Sequence, residues 1–134
     1  DLTQSADALQ PIIQRLQDRG MRVSLFMDPD LEQIKLAKQV GADRIELYTG
    51  PYAAAWGTEQ LEPLFQQHFA AAMLATELGM GVNAGHDLNL LNLGKFATIP
   101  DLLEVSIGHA FTVDSLEMGM ASAVRAYKAL LGES

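Results

Sequence analysis

Arg44-Ile45-Glu46-Leu47-Tyr48 sets a carboxylate between two aliphatic side chains, in a short run with Gly41 before it and Gly50 after it. Side chains alternate across an extended chain, so Ile45 and Leu47 share one face of a strand and Glu46 takes the other. Three further runs have the same order of apolar, polar, apolar: Val23-Ser24-Leu25, Val82-Asn83-Ala84 and Val105-Ser106-Ile107. A doubly wound sheet carries helices on both faces, and its strands read as apolar throughout. The alternation instead suits a barrel, with Val, Ile and Leu toward an outer ring of helices and Ser24, Glu46, Asn83 and Ser106 toward a lumen. A small flavodoxin-like sheet, also parallel and of similar strand length, is the alternative.

Helical stretches separate these strands, each closed by Gly or Pro, which is the order of successive βα units. The first helix is expected over about 6–19, with Pro11 early and Gly20 as its stop, and the first strand over 22–27. Asp28-Pro29 reads as the start of the second helix, with Asp at the N-cap and Pro at the first helical position, running to about Val40. The second strand is 44–48, then a loop over 49–53, then the longest helix over about 58–78. A strand at 81–84, a short helical segment near 88–96, a stop at 98–101 and a strand at 103–107 follow. Asp114-x-x-Glu117 reads as a capping box for a last helix with Leu116, Met120, Ala123, Val124, Tyr127 and Leu131 on one face. Residues 1–5 read as the end of a loop. The expected fold is therefore α/β, with residues 1–134 supplying four of the eight units of a TIM (β/α)8 barrel.

With 9 Lys plus Arg against 17 Asp plus Glu, the chain carries a formal charge of −8, which disfavours nucleic acid and anionic membranes as partners. A composition 49% hydrophobic and 19% charged is that of a folded globular chain. Cysteine is absent, which removes disulfides, thiolate metal sites and a Cys nucleophile. The longest uncharged stretch, 63–76, is too short to span a bilayer.

Chemistry concentrates where two strands end in matching words, Val82-Asn-Ala-Gly85-His86 and Val105-Ser-Ile-Gly108-His109. Barrel enzymes keep their reacting groups just past the C-terminal ends of the strands, and imidazole both donates and accepts protons near neutral pH. The competing reading is that these histidines cap turns. His68, in the middle of a helix, is read as structural. Glu46 is costly at a strand centre unless it is paired or used, so it is either a reacting carboxylate or the partner of Arg22 or Arg44. Asp28 and Asp87 stand at strand ends, where capping explains them. Lys35, Lys38, Lys95 and Lys128 all fall in expected helices, which leaves no strand-borne lysine for a Schiff base. His86, His109 and Glu46 lack the spacing of a metal motif, and no metal is expected. Gly108-His109-Ala110 precedes a helix, whose free N–H groups and dipole suit a phosphate. In a barrel that place follows strands seven or eight, which makes these units strands 5 to 8.

Together, Val-Ser-Leu-Phe-Met-Asp, Ile-Glu-Leu-Tyr-Thr-Gly-Pro-Tyr, Val-Asn-Ala-Gly-His-Asp-Leu-Asn and Val-Ser-Ile-Gly-His-Ala resemble the C-terminal half of the pyridoxine 5′-phosphate synthase family. The likeness runs in order over essentially the whole chain. It implies a cytoplasmic, homo-oligomeric (β/α)8-barrel transferase, an octamer in the family, acting in vitamin B6 biosynthesis without an organic cofactor. That family condenses 1-deoxy-D-xylulose 5-phosphate with 3-amino-2-oxopropyl phosphate, closing the pyridine ring with release of phosphate and water. The resemblance implies His86 as proton donor, Glu46 as the transition-state-stabilising glutamate, and Asp87, Gly108 and His109 as contacts of the amino-ketone phosphate. At Asp87 some members carry Gly. The family's remaining bases, a His and a Glu, and its deoxyxylulose-phosphate contacts lie on early strands. The chain alone is thus expected to be inactive and to pair with an N-terminal half or a second copy. Another phosphosugar barrel, such as an isomerase or epimerase, and a half-barrel module without chemistry are the alternatives.

Overall fold

Four strands pair side by side and in parallel, in the same order as they occur in the chain. They are β1 (Ser24–Met27), β2 (Arg44–Tyr48), β3 (Gly81–Gly85) and β4 (Leu102–Ser106) of a computed structural model that describes residues 1–132. The last two residues of the expected 1–134 unit lie outside the described residues. Helices α1 (Leu2–Gln17), α2 (Leu31–Gln39), α3 (Gly50–Ala54), α4 (Leu61–Glu77), α5 (Leu93–Phe96), α6 (His109–Met118) and α7 (Met120–Leu130) fill the connections and the C-terminus. A doubly wound sheet reverses its strand order at a switch point. No reversal occurs here, so the order is compatible with half of a TIM barrel and does not support the flavodoxin-like alternative.

The alternation seen in the sequence is the alternation of burial. Ile45, Leu47, Val82 and Ala84 are wholly buried against the helical layer, where Ile34 and Ala37 of α2 and Ala71, Ala72 and Ala75 of α4 meet them. The alanines on α4 let the helix backbone approach the sheet closely. Ser24, Phe26, Glu46, Asn83, Glu104 and Ser106 lie on the opposite face, each at least partly exposed. In register, Phe26, Glu46 and Asn83 stand abreast on β1, β2 and β3. Between β3 and β4 the register slips: Val82 faces Leu102 and Asn83 faces Glu104, leaving Leu103 as an extra residue that is exposed.

Several boundaries differ from the sequence reading, each for a local reason. Helix α1 starts at Leu2 and not in a loop, because Asp1 caps it: its Oδ1 accepts from Thr3 N–H at 2.9 Å. The second helix is capped by Asp30 and not Asp28, its carboxylate accepting from Glu32 and Gln33 N–H. Pro29 disfavours helical backbone at Asp28, whose carbonyl instead accepts from Asp30 N–H. The 49–53 loop is helix α3, with Pro51 near its start. The last helix begins at His109, not near Asp114, and Gly119 (φ 84°) breaks it into α6 and α7. Asp114 accepts from the Tyr127 hydroxyl at 2.6 Å and caps nothing. The break splits the expected apolar face: Ala123 and Tyr127 are buried, whereas Leu116 and Met120 are exposed.

Candidate active site

The C-terminal ends of the strands gather the residues singled out in the sequence. A concavity of about 620 Å³ there is lined by Phe26, Glu46, His86, Asp87, Ser106, Ile107, Gly108 and His109. All five candidate residues line it, delivered by β2, by the turn after β3 and by the start of α6. Parallel strands cause this convergence, since every strand ends at the same edge of the sheet.

Glu46 leans along its strand toward Gly85. A Cβ on Gly85 would stand 2.5 Å from Glu46 Oε1 and 2.9 Å from Ser106 Cβ, so the glycine is what gives the carboxylate its place. Among the described residues no hydrogen bond or ion pair engages that carboxylate. Arg44 and Arg22 both turn to Glu104 instead: Arg44 pairs with it directly, and Arg22 Nη2 lies 3.7 Å away. Asn83 completes the group, accepting from Arg44 at 3.1 Å and donating to Glu104 at 3.2 Å. The positive charges near the base of this face are thus already satisfied by a different glutamate, and the structural ion pair considered for Glu46 is not made.

His86 and Asp87 follow Gly85 with φ of 97° and 58°, left-handed backbone that L-residues rarely adopt. The Asp87 carboxylate does not cap the segment after it. It lies 2.9 Å from His86 Nδ1, and because an ionised carboxylate only accepts, the imidazole presents Nδ1–H to it and leaves Nε2 for other work. The Tyr48 ring stands edge-on to the imidazole with centroids 5.1 Å apart. At β4's end, α6 opens with Gly108 as its N-cap, no side-chain cap and no acidic residue in its first turn. Its first intrahelical bond is Thr112 N–H to Gly108 C=O, so the amides of His109, Ala110 and Phe111 point out of the helix start. These amides and the helix dipole make an anion site that needs no lysine or arginine. Among the described residues no group of three or more His, Cys, Asp or Glu side chains is arranged to hold a metal ion.

Behind this layer sits a buried one, of which the sequence reading singled out only His68. His68 is fully buried, its Nδ1 2.7 Å from Leu64 O and its Nε2 3.0 Å from Tyr48 O, which agrees with a structural role and ties α4 to the end of β2. Tyr52, packed against His68 and Phe96, donates to the carbonyl of Asn92 at 2.7 Å, and burial pushes its phenol up to about 12. Thr49 and Asn92, also buried, reach the backbone of the 85–87 turn. Phe26 was legible, since period two from Ser24 puts it on the open face. Thr49 and Asn92 had no such signal, because hydroxyl and amide residues near turns are common.

The family model described as "Pyridoxal phosphate biosynthesis protein PdxJ" matches residues 1–133. The pyridoxine 5'-phosphate synthase of Albidiferax ferrireducens is 52% identical over 123 residues, covering 91% of this chain and 49% of that protein. That of Rhizobium meliloti is 49% identical over 138 residues, covering 100% of this chain and 55% of its own length. A third, from Brucella abortus, is 50% identical over 133 residues, with 95% and 52% covered. The chain spans about half the length of the curated relatives it matches. An open-faced parallel sheet with Glu46, His86 and the α6 helix start at one edge, matched almost end to end by that family model, leaves one conclusion: the chain belongs to the PdxJ family of pyridoxal phosphate biosynthesis proteins.

Proposed function

We propose that this chain forms strands 5 to 8 of a (β/α)8 barrel that acts as a pyridoxine 5′-phosphate synthase, condensing 1-deoxy-D-xylulose 5-phosphate with 3-amino-2-oxopropyl phosphate. The observation that carries the reading is a concavity at the C-terminal edge, where an unpaired carboxylate, an oriented imidazole and a helix start without a side-chain cap stand together. The reaction needs those three kinds of group. The substrate amine condenses with the substrate ketone, so the Schiff base forms between substrates and no enzyme lysine is required. Ring closure then proceeds through proton transfers at neighbouring atoms, with loss of water and phosphate.

His86 serves as the proton donor. Asp87 accepts its Nδ1–H, so Nε2 takes up a proton abstracted from the substrate in one step and, as the imidazolium Nε2–H, delivers it to a departing oxygen in the next. Glu46, free of any cationic side chain, stabilises positive charge that develops on the condensing nitrogen, an interaction stronger in the transition state than before it. The amides at Gly108 and His109 hold the phosphate of the amino ketone at the α6 start. Asp87 contributes there through its backbone, since its carboxylate repels phosphate and is already engaged by His86.

The unpaired edges of β1 and β4 and the uncovered face are where the remaining strands close the barrel. A groove of about 500 Å³ beside β1, lined in part by Leu2, Leu9, Leu25 and Met27, offers apolar surface for that half. The family's other bases belong to it, so this segment alone is inactive, and further copies assemble on the completed barrel. The test is steady-state kinetics of His86→Asn in the full-length protein with both substrates. Turnover is expected to fall by about 10²-fold or more with folding retained. Near-wild-type turnover removes His86 from the mechanism.

A further inference from the structure

We propose that Thr49 and Asn92 are positioning residues that hold the His86–Asp87 turn in its left-handed conformation and thereby aim the His86 imidazole into the concavity. Three successive carbonyls in this turn are each caught by a neighbouring group. Thr49 N–H donates to Gly85 O at 3.0 Å, the Thr49 hydroxyl donates to His86 O, and Asn92 Nδ2 donates to Asp87 O at 3.1 Å. Pulled toward the buried layer, these carbonyls leave both side chains facing the open edge, where His86 and Asp87 are exposed. His and Asp tolerate positive φ better than most side chains, but two adjacent left-handed residues persist only where the surroundings over-determine them.

The way the two donors are used points the same way. Thr49 occupies the N-cap position of α3, where a threonine oxygen ordinarily accepts from a helix N–H, but no such cap bond is made. Its hydroxyl is spent on His86 instead. Asn92 is 1% exposed and satisfied on every side: its Oδ1 accepts from Asn89 N–H at 2.8 Å, its own N–H donates to Asn89 Oδ1 at 3.1 Å, and its carbonyl accepts from Tyr52. Tyr52 stands in the same short helix that Thr49 begins, so α3 grips both ends of the 86–92 loop. His68 fixes that helix's origin through the Tyr48 carbonyl. Once the hydroxyl or the amide is removed, the turn it holds is released and relaxes toward negative φ.

The catalytic meaning of this arrangement rests on the proposed function, whereas its geometry does not. The test uses the full-length protein. Thr49→Val keeps the shape and removes the hydroxyl, and is expected to lower kcat by about 10- to 100-fold while KM for both phosphorylated substrates changes by less than about two-fold. Thr49→Ser restores the hydroxyl and most of kcat. Because Thr49 acts through His86, Thr49→Val has no further effect on kcat in a His86→Asn background. An equal loss in both backgrounds, or an unchanged kcat in the single variant, overturns the proposal. Should Thr49→Val fail to fold, Thr49→Ala is read the same way. A crystal structure of the folded variant gives an answer independent of activity: φ of His86 leaving the left-handed region supports the proposal and an unchanged φ overturns it. If the wild-type protein lacks the condensation activity altogether, the proposed function fails and the crystallographic result alone decides this one.

Discussion

Two glutamates on the open face, Glu46 and Glu104, are separated by what surrounds them, and neutralising each one separates chemistry from structure. Glu46→Gln keeps the shape of a side chain that no described cation engages, so its effect on stability is expected within about 0.5 kcal/mol. Its effect on turnover is that of losing one electrostatic stabiliser in the transition state, about 10²- to 10³-fold, equivalent to about 2.7–4 kcal/mol. Glu104→Gln is expected to do the reverse. Arg22 and Glu104 are both more than half exposed and 3.7 Å apart, a pair worth about 0–1 kcal/mol. The Arg44 side chain is only 17% exposed, so the loss of its anion leaves a mostly buried guanidinium poorly compensated. A fully buried pair broken in this way costs about 3–5 kcal/mol, and the exposure of Glu104 brings the expectation down to about 1–2 kcal/mol. For a domain of barrel size that is a fall in Tm of about 2–8 °C. The assay is thermal denaturation of both variants beside kcat and KM for the two phosphorylated substrates in the full-length protein. A Glu46→Gln variant that melts far below wild type yet turns over normally per folded molecule makes Glu46 a structural residue and removes it from the proposed mechanism.

Gly85→Ala is expected to lose about 1–3 kcal/mol and to lower turnover together, because the new methyl meets Ser106 Cβ on a neighbouring strand and displaces the Glu46 carboxylate. Wild-type melting and kcat in that variant contradict the tight β3–β4 packing. Asp43 supplies a pH dependence: Val23 N–H and then the Gln17 side chain hydrogen-bond its carboxylate, with Arg22 and Lys38 adding attraction, and together they hold it below the usual range against a smaller opposing effect of burial. A lowered folded-state pKa gives stability that is present above the unfolded value of about 3.9 and lost as pH falls through the folded value. The Tm gap between wild type and Asp43→Asn is therefore expected in full at neutral pH and to close below about pH 4, and a gap independent of pH assigns the effect to packing alone.

The sequence by itself determined the parallel α/β class and the face on which most strand residues lie, because both depend on local periodicity; Leu103, which alternation sets beside Val105, is instead exposed at the β3–β4 register slip. Ile45 and Leu47 against Glu46 is a statement about alternation in an extended chain, and no tertiary contact alters it. The paired Gly-His words likewise placed His86 and His109 at strand ends, since a strand's end is marked by the residues that follow it. Tertiary structure decided what those residues meet. Two arginines lay within reach of Glu46 in the sequence, and only the lateral spacing of β2, β3 and β4 sent both to Glu104, a residue the sequence reading did not single out. The helix start at His109 rather than Asp114 was hidden because Gly108 is a permissive cap with no side chain to announce it, while Asp114-x-x-Glu117 imitates a capping box whose aspartate is in fact occupied by Tyr127, thirteen residues on. Thr49 and Asn92 bear on His86 only because α3 and the 86–92 loop are folded together, through hydrogen bonds spanning 37 and 5 residues of chain. Periodicity encodes which way a side chain points, and the partner it finds there is set by elements that only folding brings side by side.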